Sequence, residues 1–221
     1  MTRSVPSARD GADSLVLGRL HVVTDTRAGR RPLEAVAGAL AGGAPVIQVR
    51  AKGCTDRELY DLALRVAAAC REHGALCVVD DRPDIALAVG ADGTHLGVHD
   101  LPVAAARRVA GAGHLLGGTA RDVAQGRALV AAGATYLGVG PAYATTTKDG
   151  LPAPLGAAAV GEVAAGVQVP VIAIGGITAE RVPELLAAGV HGVAVVGAVS
   201  DAADPSVATR RLLAALGAGP R

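Results

Sequence analysis

Of the 21 basic residues in the chain, only Lys52 and Lys148 are lysines. Lys52 closes the run Gln48-Val49-Arg50-Ala51-Lys52, and alternation along an extended chain sends Gln48, Arg50 and Lys52 to one side. Two cations so placed repel each other unless an anion lies between them, and phosphate matches their donors well. A solvated strand end is the plainer reading of either cation alone; the pair favours an anion site. Carboxylates follow in Asp80-Asp81-Arg82-Pro83-Asp84 and in Gly97-Val98-His99-Asp100. Asp81 and Asp100 fall at the same end of neighbouring strands, where they could share a hard cation such as Mg²⁺ with substrate phosphate oxygens. Asp80, Asp81 and Asp84 equally suit turn and helix-cap positions. Thr145-Thr146-Thr147-Lys148 belongs to a loop with hydroxyls and a cation able to close over an anion. Gly175-Gly176 and Val196-Gly197 end two further strands, and glycines let phosphate oxygens approach backbone N–H groups. Two anion sites with carboxylates between them point to two phosphorylated reactants.

Short Val/Ile/Leu runs that start 18 to 33 residues apart, beginning near Leu20, Pro45, Ala75, Gly93, His114, Tyr136, Val169 and Gly192, must position these groups. Their continuous apolar character suits parallel strands covered on both faces. Between them lie helix signals. Thr55 and Glu58 form a capping box for a helix running to about Glu72. Pro32, Pro102 and Pro205 suit first turns. Gly43, Gly90, Gly133 and Gly189 end Ala-rich stretches. Eight strand–helix units predict an α/β fold, a single (β/α)₈ TIM barrel over residues 20–216, with residues 1–19 as a short flexible extension. The competing open doubly wound sheet would need a glycine-rich turn after its first strand, where Asp25-Thr26-Arg27 stands instead. In a barrel, the loops after the strand C-termini carry the chemistry, and every candidate site residue named above falls at or just after a strand C-terminus.

The net charge of +1 gives no basic field for a nucleic acid or membrane surface, and one per cent aromatic residues supplies no stacking platform. The apolar runs fall short of the ~20 residues of a membrane helix. The opening MTRSVPSARDGADS lacks the apolar stretch of a signal peptide. Cys54, Cys70 and Cys77 form no C-x-x-C pair, which fits a reduced, cytoplasmic setting. The oligomeric state is left open, a homo-oligomer included.

Q-V-R-A-K, D-D-R-P-D-I-A, G-A-D-G-T-H-L-G-V-H-D-L-P, G-V-G-P-A-Y-A-T-T-T-K and A-I-G-G-I-T together resemble the thiamine-phosphate synthase family, from about Leu20 to Leu216. The resemblance implies a transferase that joins hydroxymethylpyrimidine diphosphate to hydroxyethylthiazole phosphate with release of pyrophosphate, helped by Mg²⁺. It implies that Gln48, Arg50, Lys52, Asp80, Thr119 and Lys148 hold the pyrimidine diphosphate, Arg50, Lys52 and Lys148 being catalytic. Asp81 and Asp100 would bind the metal. Thr145, Thr147, Gly176, Val196 and Gly197 would hold the thiazole phosphate. The chain departs from the family pattern at Asp80 (usually Asn), Val98-His99, Thr119 and Gly197 (usually Ser) and Arg121 (usually His). Two alternatives use the same barrel: a thiazole tautomerase-type isomerase, which resembles the chain at its glycines but uses a His near position 121, and a non-catalytic barrel that binds a phosphorylated metabolite.

Overall fold

The computed structural model describes residues 17–147 and 150–217. Most of the expected N-terminal extension, and Lys148, lie outside the described residues. The chain runs β1 (Leu20–Val23), α1 (Pro32–Ala41), β2 (Val46–Val49), α2 (Asp56–His73), β3 (Leu76–Asp80) and α3 (Pro83–Ala88). It continues as β4 (Gly93–Leu96), α4 (Val103–Ala110), β5 (Leu115–Ala120), α5 (Val123–Ala131), β6 (Tyr136–Val139) and α6 (Gly156–Gly166). Then come β7 (Val171–Ile174), a 3₁₀ turn at Ala179–Arg181, α7 (Val182–Ala187), β8 (Gly192–Val195), α8 (Gly197–Ser200) and α9 (Pro205–Ala215). All strand pairings are parallel, and β1 pairs with β8, so the sheet closes as a (β/α)₈ barrel.

Local chemistry accounts for the boundaries. The Thr55 side chain accepts from the Glu58 N–H while Glu58 reaches back to the Thr55 N–H, the reciprocal arrangement that opens α2. Pro32 and Pro205 occupy first turns, whereas Pro102 stands one residue earlier, as the cap of α4. Gly43, Gly90, Gly133 and Gly189 have φ of 90°, 67°, 104° and 91°, a left-handed turn out of each helix that a Cβ would oppose. The one departure from a single helix per strand is α8. The chain leaves β8 into this short helix before α9, and the β1 loop is tied to it: Ser200 donates to Asp25, and Arg30 bridges Asp25 and Asp201 at 3.3 and 2.5 Å.

Outward-facing strand residues such as Ile47, Val79 and Leu137 share one continuous core with Val66, Val160, Leu185 and Leu212 of the helices. Full burial of each such side chain contributes about 1.5–3 kcal/mol. Inside the barrel, Leu17, Val23, Tyr136, Ile172 and Ala194 form a second, smaller cluster. Residues 17–19 belong to this packed body: Leu17 is buried, and Arg19 donates to the carbonyls of His191 and Leu216.

Candidate active site

Strand register builds the floor of the site. Asp80 pairs with His95, His95 with Gly117, and Gly117 with Tyr136, so four residues from four strands form one row across the barrel interior. Gly117 is required there because a Cβ would run into the His95 and Tyr136 side chains. The His95 ring lies 3.0 Å from the Thr119 hydroxyl through Nε2 and 3.2 Å from the Tyr136 hydroxyl through Nδ1. The His21 ring stands 5.5 Å from that of Tyr136. His21 is fully buried and neither of its ring nitrogens has a hydrogen-bond partner of regular geometry among the described residues. Burial, with the nearby His95, pushes its pKa down to about 3, and burial pushes that of His95 down to about 4, so both rings are neutral at pH 7. His21, His95 and Tyr136 all line one cavity of about 660 Å³ at the C-terminal mouth of the barrel. None of the three was anticipated as a site residue. Their one signal in the sequence is a His inside each of two otherwise apolar strand segments, Leu20–Val23 and Gly93–Leu96.

One wall of the cavity carries the charges. Gln48, at the inward-facing end of β2, donates to Asp80 at 2.6 Å. The Arg50 guanidinium lies 4.0 Å from the same carboxylate. Lys52 pairs with Asp81 and stands 4.0 Å from Asp100, while Asp100 accepts from the Gly97 N–H at 2.7 Å. Gln48, Arg50, Lys52, Asp80, Asp81 and Asp100 therefore share one face of the cavity. Asp81 reaches it from a left-handed backbone with φ of 68°, a conformation that costs a non-glycine residue about 1 kcal/mol or more.

The electrostatics of this wall favour an added cation. Burial, then the hydrogen bond with Asp100, raises the proton affinity of Asp81. Burial acts the same way on Asp100, but the hydrogen bonds from Asp81 and the Gly97 N–H outweigh it and lower its pKa. Two carboxylates that compete for one proton have the chemistry of a hard divalent-ion site, which takes one or two carboxylates and fills its shell with water and phosphate oxygens. The donor set fits Mg²⁺. Asp80 behaves differently: burial and the neighbouring Asp81 charge raise its pKa to about 7 against the opposing Gln48, Arg50 and Lys52. A substantial fraction of it is therefore neutral near pH 7, unlike a free carboxylate.

The opposite wall is built from hydroxyls and glycines. Thr145 and Thr147 lie 2.9 Å apart through their hydroxyls and line the cavity together with Gly176, Val196 and Gly197. Gly176 has a φ of 64°, and a Cβ there would strike the Ala144 carbonyl. At Gly197 a Cβ would meet only the Asp201 carboxylate. Thr119 lines the cavity between the two walls. Arg121 does not face it: its guanidinium donates to the carbonyls of Gly140 and Ala153, strapping the loop between β6 and α6. His99 is exposed. Every expected site residue within the described part of the chain reaches the one cavity.

A family model described as thiamine monophosphate synthase matches residues 20–199. The chain is 58% identical to a thiamine-phosphate synthase of Salinispora tropica over 203 residues, which are 90% of this chain and 98% of the relative. It is 44% identical to that of Moorella thermoacetica, covering 87% of this chain and 93% of the relative. A solved structure, a thiamine phosphate pyrophosphorylase from Pyrococcus furiosus, superposes with a TM-score of 0.83 at 36% identity, covering 90% of this chain and 95% of that one.

Proposed function

The chain belongs to the thiamine monophosphate synthase family and is a transferase of thiamine biosynthesis, and from that premise we propose how its barrel mouth carries the reaction. The pyrimidine diphosphate lies along the wall of Gln48, Arg50, Lys52 and Asp80, with Thr119 beside the ring and Lys148 joining from the loop. The thiazole phosphate lies against Thr145, Thr147, Gly176, Val196 and Gly197. The thiazole nitrogen forms a bond to the pyrimidine methylene carbon, the bond from that carbon to the diphosphate oxygen breaks, and its electron pair leaves with pyrophosphate. Negative charge thus grows at the departing oxygen. Lys52, paired with Asp81, and Arg50, 4.0 Å from Asp80, already stand on the wall where that charge forms, so little reorganisation is needed. Asp81 and Asp100 would hold Mg²⁺, which neutralises phosphate charge when bound.

No proton need be removed from either reactant, and the site agrees: the hydrogen-bond partners of His95 are Thr119 and Tyr136, and neither is a carboxylate. The floor of His21, His95 and Tyr136 offers a neutral surface of rings for a heterocycle. For location, the three free cysteines support a reducing compartment, and we place the protein in the cytoplasm. Among the described residues no helix is long and apolar enough to cross a membrane.

The observation that carries this reading is the meeting of two cations and two metal-type carboxylates on one wall of a cavity whose other wall is hydroxyl and glycine. Incubation with both phosphorylated substrates, with and without Mg²⁺, tests it. Thiamine phosphate and pyrophosphate are expected in equal amounts and only with the metal; unequal release, or full turnover in chelator, would contradict it.

A further inference from the structure

Arg181 is a cation at the mouth of the cavity, not anticipated as a site residue from the sequence. It ends the 3₁₀ turn after β7 and lines the same cavity as Gly176. Although the residue is exposed, its head group is held. One guanidinium nitrogen donates to the Gly176 carbonyl, and the guanidinium carbon lies 4.5 Å from the centre of the Tyr143 ring. Tyr143 is itself anchored, its hydroxyl donating to Glu184 of α7 at 2.6 Å. No carboxylate among the described residues forms an ion pair with Arg181, so its charge is not neutralised locally. An arginine kept only for solubility has no reason to be clamped by an aromatic face and a carbonyl at a cavity mouth. Guanidinium stacked on a ring still presents its in-plane N–H groups, the geometry that receives a phosphate.

We propose that Arg181 is a further binding residue, whose guanidinium contacts the phosphate of the thiazole substrate from the rim beside Gly176. The proposal rests on the placement of that phosphate against Thr145, Thr147 and Gly176. Those residues offer hydroxyls and backbone groups; Arg181 adds a guanidinium from the rim after β7, without entering the diphosphate wall. Tyr143 and Glu184 act as positioning residues, fixing the guanidinium and the start of the loop that carries the threonines.

The test is the KM for each substrate in wild type, R181A, R181K and a T145A/T147A double variant, at low and high ionic strength. In R181A, loss of one charge-assisted contact should raise the KM for thiazole phosphate about tenfold or more, with the KM for pyrimidine diphosphate and kcat nearly unchanged. The salt dependence of the thiazole-phosphate KM should flatten, and R181K should recover part of the loss. A wild-type KM for thiazole phosphate in R181A, or an equal rise for both substrates, would overturn the proposal. If the threonine pair raises that KM and R181A does not, the placement of the phosphate stands and Arg181 falls. If neither variant moves it, the placement itself is wrong.

Discussion

Asp80 shows how burial can set the charge of a single side chain in the cavity wall. Its carboxyl accepts from Gln48, and burial, with the neighbouring Asp81 charge, raises its pKa to about 7. Asp80→Asn is expected to keep the Gln48 contact, and only one hydrogen bond of ordinary strength is at stake, so kcat/KM should stay within about tenfold of wild type. Steady-state kinetics decide it: a drop of about a thousandfold would mean the site needs a third carboxylate. The residue scale is also where the sequence was read well in part and poorly in part. Gln48, Arg50 and Lys52 were legible because period-two alternation fixes their side. The Lys52–Asp81 pair was not, since its members are 29 positions apart and only the parallel pairing of β2 with β3 brings them together. Arg181 was missed because one cation seven residues past the end of β7 looks the same whether it faces solvent or a cavity.

At the scale of elements, small residues decide which loops can meet. Gly176 packs against Tyr143 and Ala144 with a left-handed backbone, so β7 can touch the threonine loop only without a Cβ. Gly176→Ala should therefore push that loop away, raising the KM for thiazole phosphate by about tenfold while costing about 1 kcal/mol or more of stability. Kinetics combined with a thermal melt separate the two effects; an unchanged KM would show that the turn does not shape the phosphate site. Gly117 makes the same point inside the barrel. Its row-mates His95 and Tyr136 fill the space a side chain would take, and Gly117→Ala is expected to destabilise the protein by about 1–3 kcal/mol through overpacking, measurable by denaturant unfolding. Strands, helix starts and the glycine exits from helices were legible because each depends on neighbours in sequence. The polar floor was not, because it depends on register between strands, for which one chain offers no local signal.

Across the whole molecule, buried titratable groups set how stability follows pH. His21, His95 and His114 have folded pKa values lowered to about 3, 4 and 4, chiefly by burial. Between pH 6.5 and 4 the unfolded chain therefore binds more protons at these sites, so their contribution is full above about 6.5 and is lost as pH falls. Asp80, raised to about 7, works the other way: the folded state holds its proton, and stability from this group is lost as pH rises from about 4 to 7. Asp81 leans in the same direction. Three histidines outweigh these carboxylates, so the free energy of unfolding should drop by several kcal/mol from pH 7 to pH 5. Urea titrations across that range check the sign, and Asp80→Asn should steepen the fall by removing an opposing group. A flat profile would mean the histidines are not held neutral.

The barrel brings these scales together by turning strand ends distant in sequence into one wall of cations and carboxylates facing one wall of hydroxyls and glycines. Its central claim is that Lys52, fixed beside Asp81 and Asp100, draws off the pyrophosphate. The most direct measurement is the single-turnover rate of Lys52→Ala with both substrates and Mg²⁺ saturating. A fall of about a hundredfold or more, with the KM for thiazole phosphate unchanged, is the expected result. A rate equal to that of the wild type would contradict the account.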